Sequence, residues 1–273
     1  MNVPHEAPAR RQTPNASSYL NGESPSERGE KKRRRALEWI HRWGYTSPDI
    51  LRQVVGQAAS GYSSKLSRAG LLVESKTQAG GVQKGVPKTV LTLSTAGLEE
   101  AERFSAQLLR YRELDPSRVN QHLLRHNILA QQLTLNAMKS GSGNDFMTER
   151  MLDHTGDKKD EKKPDVIWSI DGGRKLFAVE IELTAKWGRD LDDFVLKVCR
   201  ALDARQGAAK YDRFIIASDS PAIIERYKAA LSTGTKFTLW RYDAHAKKYQ
   251  ENGSRHVPDW VPPRVTFELV GRP

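Results

Sequence analysis

The 24 residues from Lys163 to Lys186 constrain this chain's fold more than any other stretch. Pro164-Asp165 leads into the apolar run Val-Ile-Trp-Ser-Ile. Asp171-Gly172-Gly173-Arg174 follows, and a second apolar run continues to Thr184. Two such runs around a Gly-Gly pair read as a β-hairpin with a two-residue turn. Asp171 then faces Arg174, and paired residue numbers sum to 345, which sets Asp165 opposite Glu180. Along the second strand Phe177, Val179, Ile181 and Leu183 alternate with Leu176, Ala178, Glu180 and Glu182. Period two puts both glutamates on one face, opposite an apolar row.

Directly opposed residues share a face, with Cβ atoms about 4.5–5.5 Å apart, so two carboxylates repel unless a cation lies between them. A hard ion such as Mg²⁺ or Mn²⁺ takes carboxylate oxygens and would make the pair favourable. Asp165 and Glu180 are therefore the expected metal ligands. Glu182 lies one step along the same face. Lys186 has the same parity but falls past the strand end, and Glu149, in Phe-Met-Thr-Glu-Arg, offers a carboxylate from the preceding segment. The competing reading leaves the acids on a solvent-facing strand, with Lys175 and Lys186 as partners. A middle strand of an α/β sheet is covered on both faces, which favours the metal site. A one-residue slip would separate Asp165 from the glutamates.

Charge is unevenly spread over the 273 residues. Residues 1–112 hold 18 Lys/Arg and 10 Asp/Glu, whereas residues 113–273 hold 26 and 23. A basic front beside a nearly balanced larger part suggests a polyanion-binding module joined to something else. No run approaches the roughly 18 apolar residues of a membrane span. The absence of an apolar leader argues against secretion, and a cytoplasmic location is expected. The single Cys199 excludes an internal disulfide framework or a zinc ribbon.

Residues 1–30, rich in Pro, Ser, Asn, Glu and Arg, carry no hydrophobic period, so a disordered basic tail is expected over 1–33. It runs into Lys31-Lys32-Arg33-Arg34-Arg35, a sequence suited to phosphate contact. A first helix with Leu37, Ile40 and Trp43 on one side stops at Gly44; a second starts at Ser47-Pro48. A third, about 58–69, displays Tyr62, Ser63, Ser64, Lys65, Ser67 and Arg68. Strands at 71–73 and 89–93 flank a flexible basic loop that includes Lys76 and Lys84. Three short helices and a basic hairpin follow the order of a winged helix-turn-helix over 34–112, whose third helix would enter the major groove. A protein-pairing module of the same shape is the plainer alternative. A helix from about 95 to 112 leaves this unit.

An α/β domain is expected over 113–243. A helix at 118–139 carries Leu124, Ile128, Leu135 and Met138 on one stripe. His122 and His126 stand on it at the i, i+4 spacing of a metal pair, but without a third ligand nearby they read as ordinary helix residues. A short segment at Asp145–Leu152, strands at 165–170 and 175–183, a helix at about 189–205 and a strand at 212–217 give an α-β-β-β-α-β order, with a further helix at 220–231 and strand at 236–242. Residues 244–273 form a C-terminal extension. Nothing marks Tyr211 or Tyr227 as a nucleophile.

Pro164-Asp165, a gap, and Glu180-Ile181-Glu182 on a second strand within that order resemble the PD-(D/E)xK restriction-endonuclease-like superfamily. More narrowly, the chain resembles the replication-relaxation family of plasmid mobilisation proteins, which includes the MobC-type relaxases. The resemblance spans about residues 34–240. It rests on the winged-helix order, on Thr148-Glu149-Arg150 before Pro164-Asp165, and on Val179-Glu180-Ile181-Glu182-Leu183-Thr184 with Lys186. It implies that Asp165 and Glu180 bind Mg²⁺ or Mn²⁺. Glu182, in the place of the usual motif lysine, would be a further ligand or base, or Lys186 would take the lysine's part. The implied activity is metal-dependent nicking of double-stranded DNA at an origin of transfer. Other mobilisation or transfer proteins and a second copy of the chain are candidate partners. The alternative is a DNA-binding accessory or regulator of plasmid transfer or replication whose nuclease-like domain is silent. A defence-type endonuclease would share the chemistry but cut both strands.

Overall fold

The computed structural model describes residues 22–56, 61–152, 163–205 and 209–271. Helix α1 (Pro25–Trp43) opens on a capping box in which the Ser24 hydroxyl accepts the Glu27 N–H and the Glu27 carboxylate accepts the Ser24 N–H. Its polar first turns are held by ion pairs Glu23–Lys31 and Arg33–Glu100, and by Arg34 lying 5.0 Å over the Phe104 ring. The expectation of a disordered tail as far as residue 33 is thereby corrected from Ser24 onward: the cap and these contacts replace the missing apolar period. The tail's remaining residues, 1–21, lie outside the described residues.

Helix α2 (Pro48–Val54) is capped by the Ser47 hydroxyl, and α3 (Tyr62–Arg68) follows it. Strands β1 (Leu72–Lys76) and β2 (Thr89–Leu93) form an antiparallel pair, and Thr46 adds a bridge to Leu91. Helix α4 (Thr95–Phe104) ends well before residue 112. Three 3₁₀ turns (Arg112–Leu114, Pro116–Arg118, Gln121–Leu123) then lead to α5 (Leu124–Ser140). Short polar side chains dictate this irregular connector. Asp115 accepts from the Ser117 N–H and Asn120 from the His122 N–H, each at 3.0 Å, offering the backbone an alternative to a helix. His122 accordingly lies off α5, and the expected helical pair with His126 does not form.

Beyond α5 come β3 (Asp145–Thr148), α6 (Glu149–Leu152), β4 (Val166–Ile170), β5 (Lys175–Ile181), α7 (Gly188–Leu202), β6 (Arg213–Ser218), α8 (Pro221–Ala230), β7 (Lys236–Asp243), β8 (Lys248–His256) and β9 (Val265–Leu269). The main sheet runs β3-β4-β5-β6-β9, antiparallel through β5 and parallel from β5 to β9. Strand β7 departs from the expected order, pairing with β8 in a separate hairpin against α7. The sheet's last place goes to β9, so the C-terminal segment is part of the domain rather than an appendage.

Helices cover the sheet on both sides. Phe194, Val198 and Leu202 of α7 and Tyr227 of α8 pack with Ala178, Phe214 and Ile216. Leu129 and Leu133 of α5 pack with Val179, Ile181 and Ile215 on the other face, joined there by Trp39 and Trp43. Leu37 and Ile40, on another side of α1, sit in the core of the N-terminal unit with Leu51, Leu91 and Leu93. Trp43 thus parts from Leu37 and Ile40, and α1 belongs to two cores. Among the described residues no helix is long and apolar enough to cross a membrane.

Candidate active site

The β4–β5 register pairs Val166 with Val179 through to Ile170 with Lys175, each pair summing to 345 as the sequence predicts. The turn itself differs. Asp171, Gly172 and Gly173 have φ of 53°, 67° and 92°, in a 3₁₀ turn, so the connection spans four residues, 171–174. A four-residue connection between Ile170 and Lys175 leaves the register intact. One step past Val166 and Val179, the next positions are Asp165 and Glu180.

Asp165 is anchored here. Its Oδ2 accepts the Ile181 N–H at 2.7 Å and lies 3.1 Å from His126 Nε2. Burial alone would lower the His126 pKa. The hydrogen bond and charge of Asp165, with the Asn127 side chain and the charge of Glu180, outweigh burial and raise it to about 9. His126 is therefore an imidazolium at neutral pH and part of the site, a correction to its reading as an ordinary helix residue. Its sequence neighbours carry no signal of this, because the contact depends on how the first turn of α5 meets the end of β4.

Glu180 and Glu182 are each 4% exposed, which rules out the solvent-facing strand. Lys186 lies past the end of β5, as expected from the sequence. Its ammonium pairs with Glu182 and sits 5.0 Å over Phe194 and 6.0 Å over Tyr227. Arg226 holds the Lys186 carbonyl through its Nε at 2.7 Å. Lys175 instead pairs with Asp171 at 3.2 Å. Tyr227 is fully buried, and burial, with the charges of Glu182 and Glu180, keeps its hydroxyl protonated. Tyr211 is buried as well. Glu149 heads α6, where its N–H donates to the Asp165 carbonyl at 3.2 Å. Glu149 and Asp165 line one cleft of about 570 Å³ between the N-terminal unit and the sheet; Glu180 and Glu182 do not line it.

Asp165 and Glu180 offer the hard oxygens that Mg²⁺ or Mn²⁺ takes. Among the described residues, however, no group of three or more His, Cys, Asp or Glu side chains is placed to hold a metal ion. Two carboxylates do not make a cage. They match an ion held by one or two protein carboxylates together with water and substrate phosphate, the usual manner of Mg²⁺.

On α3, Ser64, Lys65 and Arg68 are exposed while Leu66 is buried; Tyr62 packs against the core and Ser63 is half-covered. Lys76 and Lys84 are exposed. The loop between β1 and β2 is tied down, correcting the expectation of flexibility. The Thr77 N–H donates to the Lys88 carbonyl at 3.0 Å, the Gln78 N–H to Gln121 Oε1 at 3.2 Å, and Val86 is buried with Tyr45 and Leu124. In the α1 run, Lys31 and Arg33 are in ion pairs and Arg34 is over Phe104, while Lys32 and Arg35 have no ion pair among the described residues. No protein-family model, curated protein or solved structure matches this chain.

Proposed function

We propose that the chain is a sequence-directed DNA-binding protein of plasmid mobilisation that nicks one strand near an origin of transfer, using a divalent ion held at Asp165 and Glu180. The observation that carries this reading is the pair of carboxylates where β4 and β5 end, half-buried Asp165 lining a cleft open to solvent and buried Glu180 at the adjoining position. The N-terminal unit is read as a winged helix-turn-helix, with Ser64, Lys65 and Arg68 of α3 toward base edges and Lys76, Lys84 and the α1 run toward phosphates. The α5–β9 unit is read as a PD-(D/E)xK-type domain, in line with its mixed sheet and two helical layers. When bound, Mg²⁺ or Mn²⁺ would polarise the scissile phosphate and acidify a water. Asp165, held by Ile181 and His126, keeps one orientation. Lys186 offsets the charge of Glu182. The work is expected to take place in the cytoplasm, with other transfer proteins or a second copy as partners.

A second reading has its own support. Lys186 answers Glu182 and His126 answers Asp165, so much of the acid charge is compensated without an ion. That suits an accessory protein with a silent domain. Supercoiled plasmid carrying the origin region separates the two. Under the first reading, open-circle product forms with Mg²⁺ or Mn²⁺, and is lost with EDTA, Asp165→Ala or Glu180→Ala. Tight DNA binding that is indifferent to EDTA, with no nicking under any metal, leaves the accessory reading standing.

A further inference from the structure

We propose that the cleft beside Asp165 binds one unpaired DNA strand by its phosphates, through Arg110, Arg112 and Arg118; this rests on the reading that the chain acts on DNA. All three side chains come from the irregular connector between α4 and α5 and line the cleft. All three are exposed, and Arg110 and Arg112 have no ion pair among the described residues. Arg118 meets Asp115 at 3.7 Å with both groups more than half exposed, a weak pairing that phosphate would displace. Arg150 plays another part. It donates to the Arg110 carbonyl at 2.7 Å, meets Glu113 at 3.3 Å and lies 5.2 Å over the Tyr111 ring, so it builds the wall.

The acids of the cleft are largely answered. Glu113 has Arg150, and Asp165 lies 3.1 Å from His126. A volume of about 570 Å³ falls within the usual range of small-ligand sites, roughly 300–1,000 Å³. It takes a nucleotide or two and excludes a duplex. Leu123, 45% exposed, also lines the cleft and offers an apolar surface for a base. A strand lying there passes a phosphate in front of Asp165. The connector therefore sets single-strand specificity, separately from duplex recognition by α3 and the β1–β2 loop.

Fluorescence anisotropy in EDTA tests this with a labelled unpaired deoxyoligonucleotide and the same sequence annealed as a duplex. Arg110→Gln/Arg112→Gln should weaken single-strand binding about tenfold at low salt and flatten its log–log salt slope by about 1.4, or 0.7 per lost contact. Duplex affinity should change less than twofold. Arg110→Lys/Arg112→Lys should stay within about threefold of wild type, since a phosphate contact needs the charge. Both arginines are exposed, so the melting midpoint should not move. Unchanged single-strand affinity in the Gln variant, or equal losses for single strand and duplex, overturns the inference. Because no metal is present, the outcome does not depend on nicking. If wild type binds duplex and nicks while the Gln variant holds single strands normally, only this inference fails.

Discussion

Glu182 and the ammonium that answers it come from residues four apart, just past the end of β5. His126 and Asp165 come from elements 39 positions apart in the chain, and nothing local joins them. The acids of the site were therefore legible in the sequence and half of their counter-charges were not. His41 is the opposite case, a titratable group with no compensation. It is 1% exposed, its Nε2 has no hydrogen-bond partner, and its ring stacks at 6.3 Å on Tyr111. Burial, then the charges of Arg150 and Arg42, lower its pKa from 6.5 to about 4. A depressed imidazole pKa favours the fold fully above pH 6.5, and that contribution disappears as pH falls toward 4. We expect wild type to lose about 2 kcal/mol more stability than His41→Phe between pH 7 and pH 4.5. Urea midpoints at the two pH values measure it; parallel losses would show that His41 does not titrate on unfolding.

Elements made by local rules agree best with their sequence. The β4–β5 pairing follows from alternation and a short connection, and α2 from Ser47-Pro48. Strand β9 was illegible because Val265–Leu269 pairs in parallel with β6, across about 50 residues of intervening chain, and no local turn announces such a partner. The end of α4 was missed for another reason: Ser105 turns to an extended conformation and its hydroxyl accepts the Gln107 N–H at 3.4 Å, so a side chain competes with the helix there. Its start has a tighter constraint. At Gly97 a Cβ would lie 2.0 Å from the Leu71 carbonyl oxygen, where the chain enters β1. Helix propensity favours Gly97→Ala by about 1 kcal/mol. The clash is with backbone that cannot rotate away, and overpacking of this kind costs about 1–3 kcal/mol or more. The clash should win. Gly97→Ala is expected to be net destabilising by about 1–2 kcal/mol in chemical denaturation, against the gain that an open helical site would show. A stabilised variant would mean that α4 and β1 separate readily.

For the whole molecule, the boundary drawn by charge at residues 112 and 113 is crossed by packing. Trp39 lies 6% exposed between the two units, edge-on to Phe146 at 5.1 Å, with its Nε1 donating to Gln131 Oε1 at 3.0 Å. The same Gln131 accepts from Thr46 and donates to the Tyr45 carbonyl, and the Thr148 hydroxyl donates to the Arg42 carbonyl. Composition could not reveal this, since a tryptophan on α1 fits either core equally well. The junction matters for function because the connector arginines, Asp165 and Glu149 line the cleft between these same units. If α1 couples the cores, Trp39→Ala should lower the stability of the entire chain by about 3–5 kcal/mol. Far-UV circular dichroism and tryptophan fluorescence should then follow one shared transition at a lower denaturant midpoint. Independent units predict something else. The sheet unit alone would weaken, the two probes would separate, and the N-terminal helices would melt at their original midpoint. The coincidence of the two curves, more than the size of the loss, decides whether duplex recognition and the carboxylate site are held at a fixed spacing.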